Sequence, residues 1–131
     1  MTNSTAVRIV GDYFAAWAGG DVNKATEYLT DDIVILAPNG TFTGHAGYHD
    51  FMDGFVAMVT GVDEFTVFGD ETTALAWYDT HLKVVPTLTA AERIKVTGDK
   101  ISLIEITFDQ MPLAQAFGGQ APAHGSTPDQ S

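Results

Sequence analysis

Between Tyr13 and Gly44 the sequence YFAAWAGGDVNKATEYLTDDIVILAPNGTFTG holds the end of one helix, a second short helix, a strand and a hairpin turn within thirty-two residues. Leading into it, Ala6, Ile9, Val10, Tyr13, Phe14 and Trp17 recur at three- and four-residue steps, which gathers them on one side of a helix from about Thr5 to Ala18. Gly19-Gly20 stops that helix, because glycine accepts the left-handed conformation that ends helices, and Asp21 can cap a second one reaching about Leu29. After Thr30-Asp31-Asp32, the run Ile33 to Ala37 is short and β-branched, and Asn39-Gly40 is the dipeptide best suited to a tight hairpin. Two helices therefore meet at a corner and lead straight into strand, turn and strand, and the rest of the chain must pack around that unit.

From Gly44 to about Thr60 the apolar residues Tyr48, Phe51, Met52, Phe55, Val56 and Val59 return to helical spacing, and Gly61 closes a third helix. Strands are expected at roughly Val62 to Phe68, Thr72 to Val85, Leu88 to Val96 and Lys100 to Phe108, punctuated by Gly69-Asp70, Pro86 and Gly98-Asp99. Helices first and an antiparallel sheet after them make an α+β fold. The 131 residues suffice for one domain with a core that needs neither disulfide nor metal. That domain is assigned to residues 1–110, and residues 111–131, rich in Gly, Pro, Ala and Gln, are expected to form a mobile C-terminal tail.

Seventeen acidic against six basic residues give a formal charge of -11, so the surface repels phosphate backbones and anionic headgroups. Nucleic acid and membrane are thereby excluded as expected partners. The sequence contains no cysteine, which removes disulfide and thiolate chemistry. It shows no basic segment followed by an apolar run near its start and no long apolar stretch, and a cytoplasmic location is the expectation. No GxSxG, Walker or dinucleotide glycine pattern occurs, so no cofactor is expected. His45 and His49 have a helical metal-pair spacing, but HAGYH lacks the glutamate of HExxH, and no metal site is assigned.

Strand alternation divides the chemistry between two faces. Ala90, Glu92, Ile94 and Val96 share one face of their strand, so Glu92 is the lone acid on an apolar surface; Arg93 and Lys95 lie on the other. Two readings stand for Glu92. It is a buried carboxyl satisfied by a tyrosine or a backbone amide, or it lines an apolar pocket where lost solvation raises its proton affinity enough to donate a proton at neutral pH. Asp79 and His81, two apart on the polar face with Trp77, form an alternative acid and base pair, or else belong to a subunit contact or to solvent.

The order helix, short helix with a Gly-Asp corner, Asp-Asp-strand-Pro, Gly-led helix and a sheet ending in DKISLIEITFD resembles the nuclear transport factor 2-like superfamily over roughly residues 5 to 110. The nearest-looking branch is the SnoaL-like group of small, typically dimeric bacterial proteins, which includes ketosteroid isomerases, polyketide cyclases and limonene epoxide hydrolases. The resemblance implies a cone-shaped, cystatin-like fold: a curved antiparallel sheet packed against three N-terminal helices. It implies a homodimer and a hydrophobic cavity for a small apolar molecule. Carried over residue by residue, the isomerase pattern puts its oxyanion-holding tyrosine at Tyr13 and its second donor at Glu92, while its carboxylate base falls on Ala37, which moves no proton. The epoxide hydrolase triad falls on Tyr78, Thr80 and Ile106 and is missing. The implied pocket is lined by Trp17, Ile33, Ile35, Ala37, Phe51, Phe55, Tyr78, Thr80, Ile104, Ile106 and Phe108, with Tyr13 and Glu92 as its polar, catalytic pair.

Three functions fit these residues. One is an isomerase, cyclase, dehydratase or hydrolase using general acid–base chemistry on an apolar substrate with a carbonyl or hydroxyl. Another is a module that holds such a molecule without chemistry. The third is a dimeric accessory protein with a filled interior, whose Trp77, Asp79 and His81 face meets a partner.

Overall fold

The computed structural model describes residues 5–116. Helix α1 (Thr5–Ala18) buries Ala6, Ile9, Val10, Tyr13, Phe14 and Trp17, the six residues whose spacing predicts its inner face. Gly20 ends it at φ +90, a left-handed conformation open to glycine at little cost. Asp21 then caps α2 (Val22–Thr26) by accepting a hydrogen bond from the Lys24 amide at 2.9 Å. The corner forms as its sequence implies, although α2 is shorter than expected and the chain is already extended at Leu29.

Strand β1 (Leu29–Ala37) turns through Asn39-Gly40 into β2 (Gly40–Thr43), with Ala37 opposite Gly40 in the hairpin register. Helix α3 (Gly44–Met58) follows, then β3 (Val59–Gly69), β4 (Thr73–Leu82), β5 (Leu88–Thr97), β6 (Lys100–Phe108) and a short α4 (Met111–Ala116). Gly61, expected to close the third helix, instead lies inside β3 at a register shift against β4. The Val56, Val59 periodicity runs on into the strand because β-branched residues suit either state until the sheet claims them. Met111 to Ala116, assigned to the tail, form α4: Asp109 accepts from the Met111 amide and Leu113 is buried against Leu82, Val85 and Leu88. The remainder of that tail, from residue 117, lies outside the described residues.

The six strands form one open, curved sheet in the order β2-β1-β6-β5-β4-β3. All neighbours are antiparallel except β1 and β6, which pair in parallel with Ile35 opposite Ile104. The N-terminal hairpin is thus joined to the last long strand, and register shifts in β1/β6, β3/β4 and β5/β6 supply bends of the kind that curve a sheet. Helices α1 and α3 pack on its inner face. Trp17, Tyr48, Tyr78, Ile33, Ile35, Ile94 and Ile101 are fully buried there, and Phe14 stacks on Phe65 and meets Tyr78 edge-on. Among the described residues no helix is long and apolar enough to cross a membrane.

The β3–β4 turn leaves no room for a side chain at Gly69. Asp70 accepts from the Thr72 and Thr73 amides at 2.9 and 3.0 Å, and a Cβ placed on Gly69 would lie 2.2 Å from the Thr73 carbonyl oxygen and 2.7 Å from the Ala74 Cα. Both obstacles are backbone, so they cannot rotate away. Gly69→Ala is expected to destabilise the protein by about 1–3 kcal/mol through overpacking. Urea unfolding should show a lower midpoint with an unchanged slope; an unchanged midpoint would mean that the turn has room to relax.

Candidate functional site

The alternation of β4 and β5 decides which side chains meet the helices. Ala74, Ala76, Tyr78 and Thr80 point inward from β4, and Leu88, Ala90, Glu92, Ile94 and Val96 from β5, as the strand faces predict. In the antiparallel register Ala76 faces Glu92 and Tyr78 faces Ala90, which sets Tyr78 and Glu92 on a diagonal of the same face. Small alanines opposite each of them leave room for the two polar groups to meet.

Meet they do: the Tyr78 hydroxyl donates a hydrogen bond to Glu92 Oε2. Glu92 is only 6 % exposed. Burial raises its proton affinity, the Tyr78 hydrogen bond partly offsets this, and its pKa is pushed up to about 7. Tyr13 pairs differently from the expectation. It accepts a hydrogen bond from the Tyr48 hydroxyl at 2.9 Å, so the pairs are Tyr13 with Tyr48 and Tyr78 with Glu92, in place of Tyr13 with Glu92. Burial first, and then the charges and hydrogen bonds of the neighbouring groups, hold Tyr13 and Tyr78 far above the usual phenol range; Tyr48 is raised chiefly by burial, against its bond to Tyr13. The charge of Glu92 contributes to all three upward shifts, so the four residues form one buried polar cluster.

Beside this cluster an open-mouthed pocket of about 340 Å³ lies between α3, the inner sheet and α4. Of the residues expected to line it, Phe51, Phe55, Tyr78, Ile106 and Phe108 do. Trp17, Ile33, Ile35, Thr80 and Ile104 are instead buried core, because α1 and β1 close over them; Trp17 sits one ring behind Phe55 and Tyr78, at centroid distances of 5.8 and 5.6 Å. Thr80 is occupied by the Leu88 carbonyl, to which it donates at 2.9 Å. Ala37 is half-buried at the end of β1 and outside the lining. Neither Tyr13 nor Glu92 lines the pocket directly; Tyr78 is the member of the cluster that reaches it.

Sequence reasoning missed Met52, Met58, Leu88, Ala90 and Leu113 in the walls, and the polar residues Asn39, Asp50 and Gln110. Asp50 precedes Phe51 on α3, and helical periodicity alone could have placed it at the edge of the inner face. Gln110 and Leu113 carried no such signal, because the short α4 has too few turns to show a period.

Asp79 and His81 lie on the outer side of β4 and do not pair with each other. Asp79 accepts from the Thr89 hydroxyl at 2.6 Å, while His81 sits between Asp63 Oδ2 at 2.6 Å through Nε2 and the Pro86 carbonyl at 2.9 Å through Nδ1. Both ring nitrogens face acceptors, an arrangement that suits the imidazolium, and the Asp63 and Pro86 hydrogen bonds raise the His81 pKa. His45 and His49 likewise turn to separate partners, the Thr30 carbonyl and Asp53. The same outer face exposes Phe68, Leu75 and Trp77 at 73 %, 54 % and 57 %.

The comparisons with known proteins agree with this architecture. The model of the SnoaL-like domain matches residues 10–108. A search of curated proteins finds no match. Among solved structures, a protein from Kribbella flavida is 35% identical, with 86% of this chain and 93% of that one covered and a TM-score of 0.82. A nuclear transport factor 2-like (NTF2-like) protein from Burkholderia xenovorans is 23% identical over 88% of this chain and 98% of that one, with a TM-score of 0.71. A candidate polyketide cyclase from Xanthomonas campestris is 18% identical over 86% and 96%, with a TM-score of 0.73. The last two show likeness of fold alone. With the family model spanning most of the folded region, the chain belongs to the SnoaL-like domain family, and its fold is that of the nuclear transport factor 2-like proteins.

Proposed function

We propose that the pocket binds a small, mostly apolar molecule bearing a carbonyl or hydroxyl oxygen, and that Glu92, acting through Tyr78, is its general acid or base. The observation that carries this reading is the Tyr78–Glu92 hydrogen bond: a buried carboxyl with a pKa of about 7, linked to the pocket by a tyrosine in the pocket wall. When Glu92 is protonated it can donate to the Tyr78 oxygen, leaving the phenolic hydrogen for a ligand carbonyl. When it is ionised, Tyr78 donates to it and offers only a lone pair, which suits a ligand hydroxyl. Tyr13, backed by Tyr48, is the second donor adjoining the carboxyl. Holding a molecule without turnover is the second reading, favoured by Ala37, where the isomerase pattern would place its base. The candidate polyketide cyclase with the same fold supports, by analogy, a ligand of the oxygenated, largely carbon kind.

We also propose that the protein is a homodimer joined through the outer sheet face. Phe68, Leu75 and Trp77 are too large and too exposed there for an ordinary monomer surface, and the Arg93–Glu105 pair beside them supplies a polar rim.

Three measurements test these proposals. 2-Acetonaphthone, a neutral ketone, should bind about 5- to 10-fold more weakly at pH 8.5 than at pH 5.5, the loss of one hydrogen bond. Glu92→Gln should abolish that dependence, and Tyr78→Phe should weaken binding at low pH more than Tyr13→Phe does; flat ketone binding in the wild type would remove Glu92 from the site. Stability should respond to the same proton. Because Glu92 holds it more tightly when folded, its contribution is complete below the ordinary value of 4.5 and is lost as pH rises to about 7, by roughly 3 kcal/mol in total. Glu92→Gln should therefore gain on the wild type by about that amount between those pH values in urea unfolding, and a constant difference would mean that the carboxyl is solvated. Finally, sedimentation should give a dimer for the wild type and a folded monomer for Trp77→Glu, whereas a monomeric wild type at tens of micromolar would end the dimer proposal.

A further inference from the structure

The pocket is one-sided in its electrostatics. None of the six basic residues of the sequence lines it, and no histidine among the described residues does. Arg93 and Lys95 lie on the opposite side of β5, Arg93 held by Glu105, and Lys100 donates to the Glu27 carbonyl at the far end of β6. The polar groups that do reach the pocket are Asn39, Asp50, Tyr78 and Gln110. Asp50 is the one side chain among these that carries a formal charge. It is exposed on α3, next to Phe51 in the wall, and makes no hydrogen bond or ion pair with the described residues, so none of them neutralises it. At the inner end, the carboxyl of Glu92 stands directly behind Tyr78.

We propose that this pocket selects its ligand by charge as well as by shape, that it takes molecules uncharged or cationic at their solvent-facing end and rejects carboxylates, sulfonates and phosphates, and that Asp50 is the specificity-determining residue. The inference rests on the binding reading above and adds to it the class of molecule that binds. An anionic group entering the pocket would leave water for a wall of Phe51, Phe55, Met58, Phe108 and Leu113 with no cation to meet it. It would also approach a carboxylate at the mouth, a repulsion that at roughly 6 Å in water amounts to about a threefold change in affinity. A neutral molecule escapes both costs, and an ammonium group facing Asp50 gains from it.

Two fluorescent probes with one skeleton test this. N-Phenyl-1-naphthylamine is uncharged, and its 8-sulfonate differs from it by a single anionic group. The wild type should bind the neutral probe about tenfold or more tightly than the sulfonate, with the gap narrowing between 0.05 and 0.5 M NaCl because the charge at the mouth is exposed to screening. Asp50→Asn should reduce the preference about threefold and Asp50→Lys should erase or reverse it, each preference being read as the ratio of the two affinities within one protein; the exposed position lets each variant fold. Sulfonate binding equal to neutral binding in the wild type, or one preference shared by all three proteins, would overturn the proposal. Failure of the neutral probe to bind the wild type at all would instead remove the underlying binding reading, and this inference with it.

Discussion

A carboxyl group on the dry side of a sheet constrains everything around it. Glu92 is enclosed by α1, α3 and the inner sheet, where an ionised carboxylate without partners would cost several kcal/mol. The fold meets that cost in two ways. Tyr78 supplies a hydrogen bond from the diagonal position of β4, and burial raises the proton affinity, pushing the pKa up to about 7. The register of β4 and β5 is tied to this contact. A slip of one residue would turn Glu92 to solvent and bring Arg93 inward, exchanging a group that can become neutral for one that cannot.

The two faces of the sheet then do different work. Inward, aromatic residues from four elements converge: Phe14 and Trp17 from α1, Phe55 from α3, Phe65 from β3 and Tyr78 from β4. This packing fixes Tyr78 from one side of its ring and leaves another side for the pocket, so the member of the polar cluster that lines the pocket is held by the core. Outward, charged and threonine side chains form a hydrogen-bonded skin around His81, Asp63, Asp79 and Thr89, interrupted by Phe68, Leu75 and Trp77. Charged side chains in contact with solvent lie on one face, and the ionisable groups shifted chiefly by burial, Glu92 and Tyr78, lie on the other.

How much of this was legible in the chain depended on the range of the interaction. The α1 face, the Asp21 cap, the hairpin at Asn39-Gly40 and the alternation that buries Glu92 are local, and each follows from spacing or from the chemistry of a few adjacent residues. The exchange of partners among Tyr13, Tyr48, Tyr78 and Glu92 is not local. Residues 13 and 48 meet because α1 and α3 pack on the same face of the sheet, and no periodicity records how far a hydroxyl reaches when several are buried together. The pocket was displaced for the same reason. Trp17, Ile33, Ile35 and Ile104 have the right polarity for a lining, but polarity cannot separate a wall from a core; α4, which adds Leu113 and the adjoining Gln110 to the mouth, is too short to announce itself.

Ala37 stands where the isomerase pattern would place a carboxylate, and its absence changes what the remaining acids can do. Two carboxyl groups adjoin the pocket in opposite surroundings, Asp50 in water at the mouth and Glu92 in the dry interior. Carboxyl groups whose environments differ in this way are suited to different roles, because burial favours the neutral form of Glu92 while Asp50 stays exposed at the mouth. In the acid–base proposal, it is Glu92 that holds the proton and passes it through Tyr78 to an oxygen in the pocket. A reaction that needs proton removal and proton delivery at separate atoms would need Asp50, or a base brought by the substrate, for its other half. Chemistry at one oxygen needs only Glu92 and Tyr78, and a ligand anchored there by its single oxygen function is the simplest occupant that the site can serve.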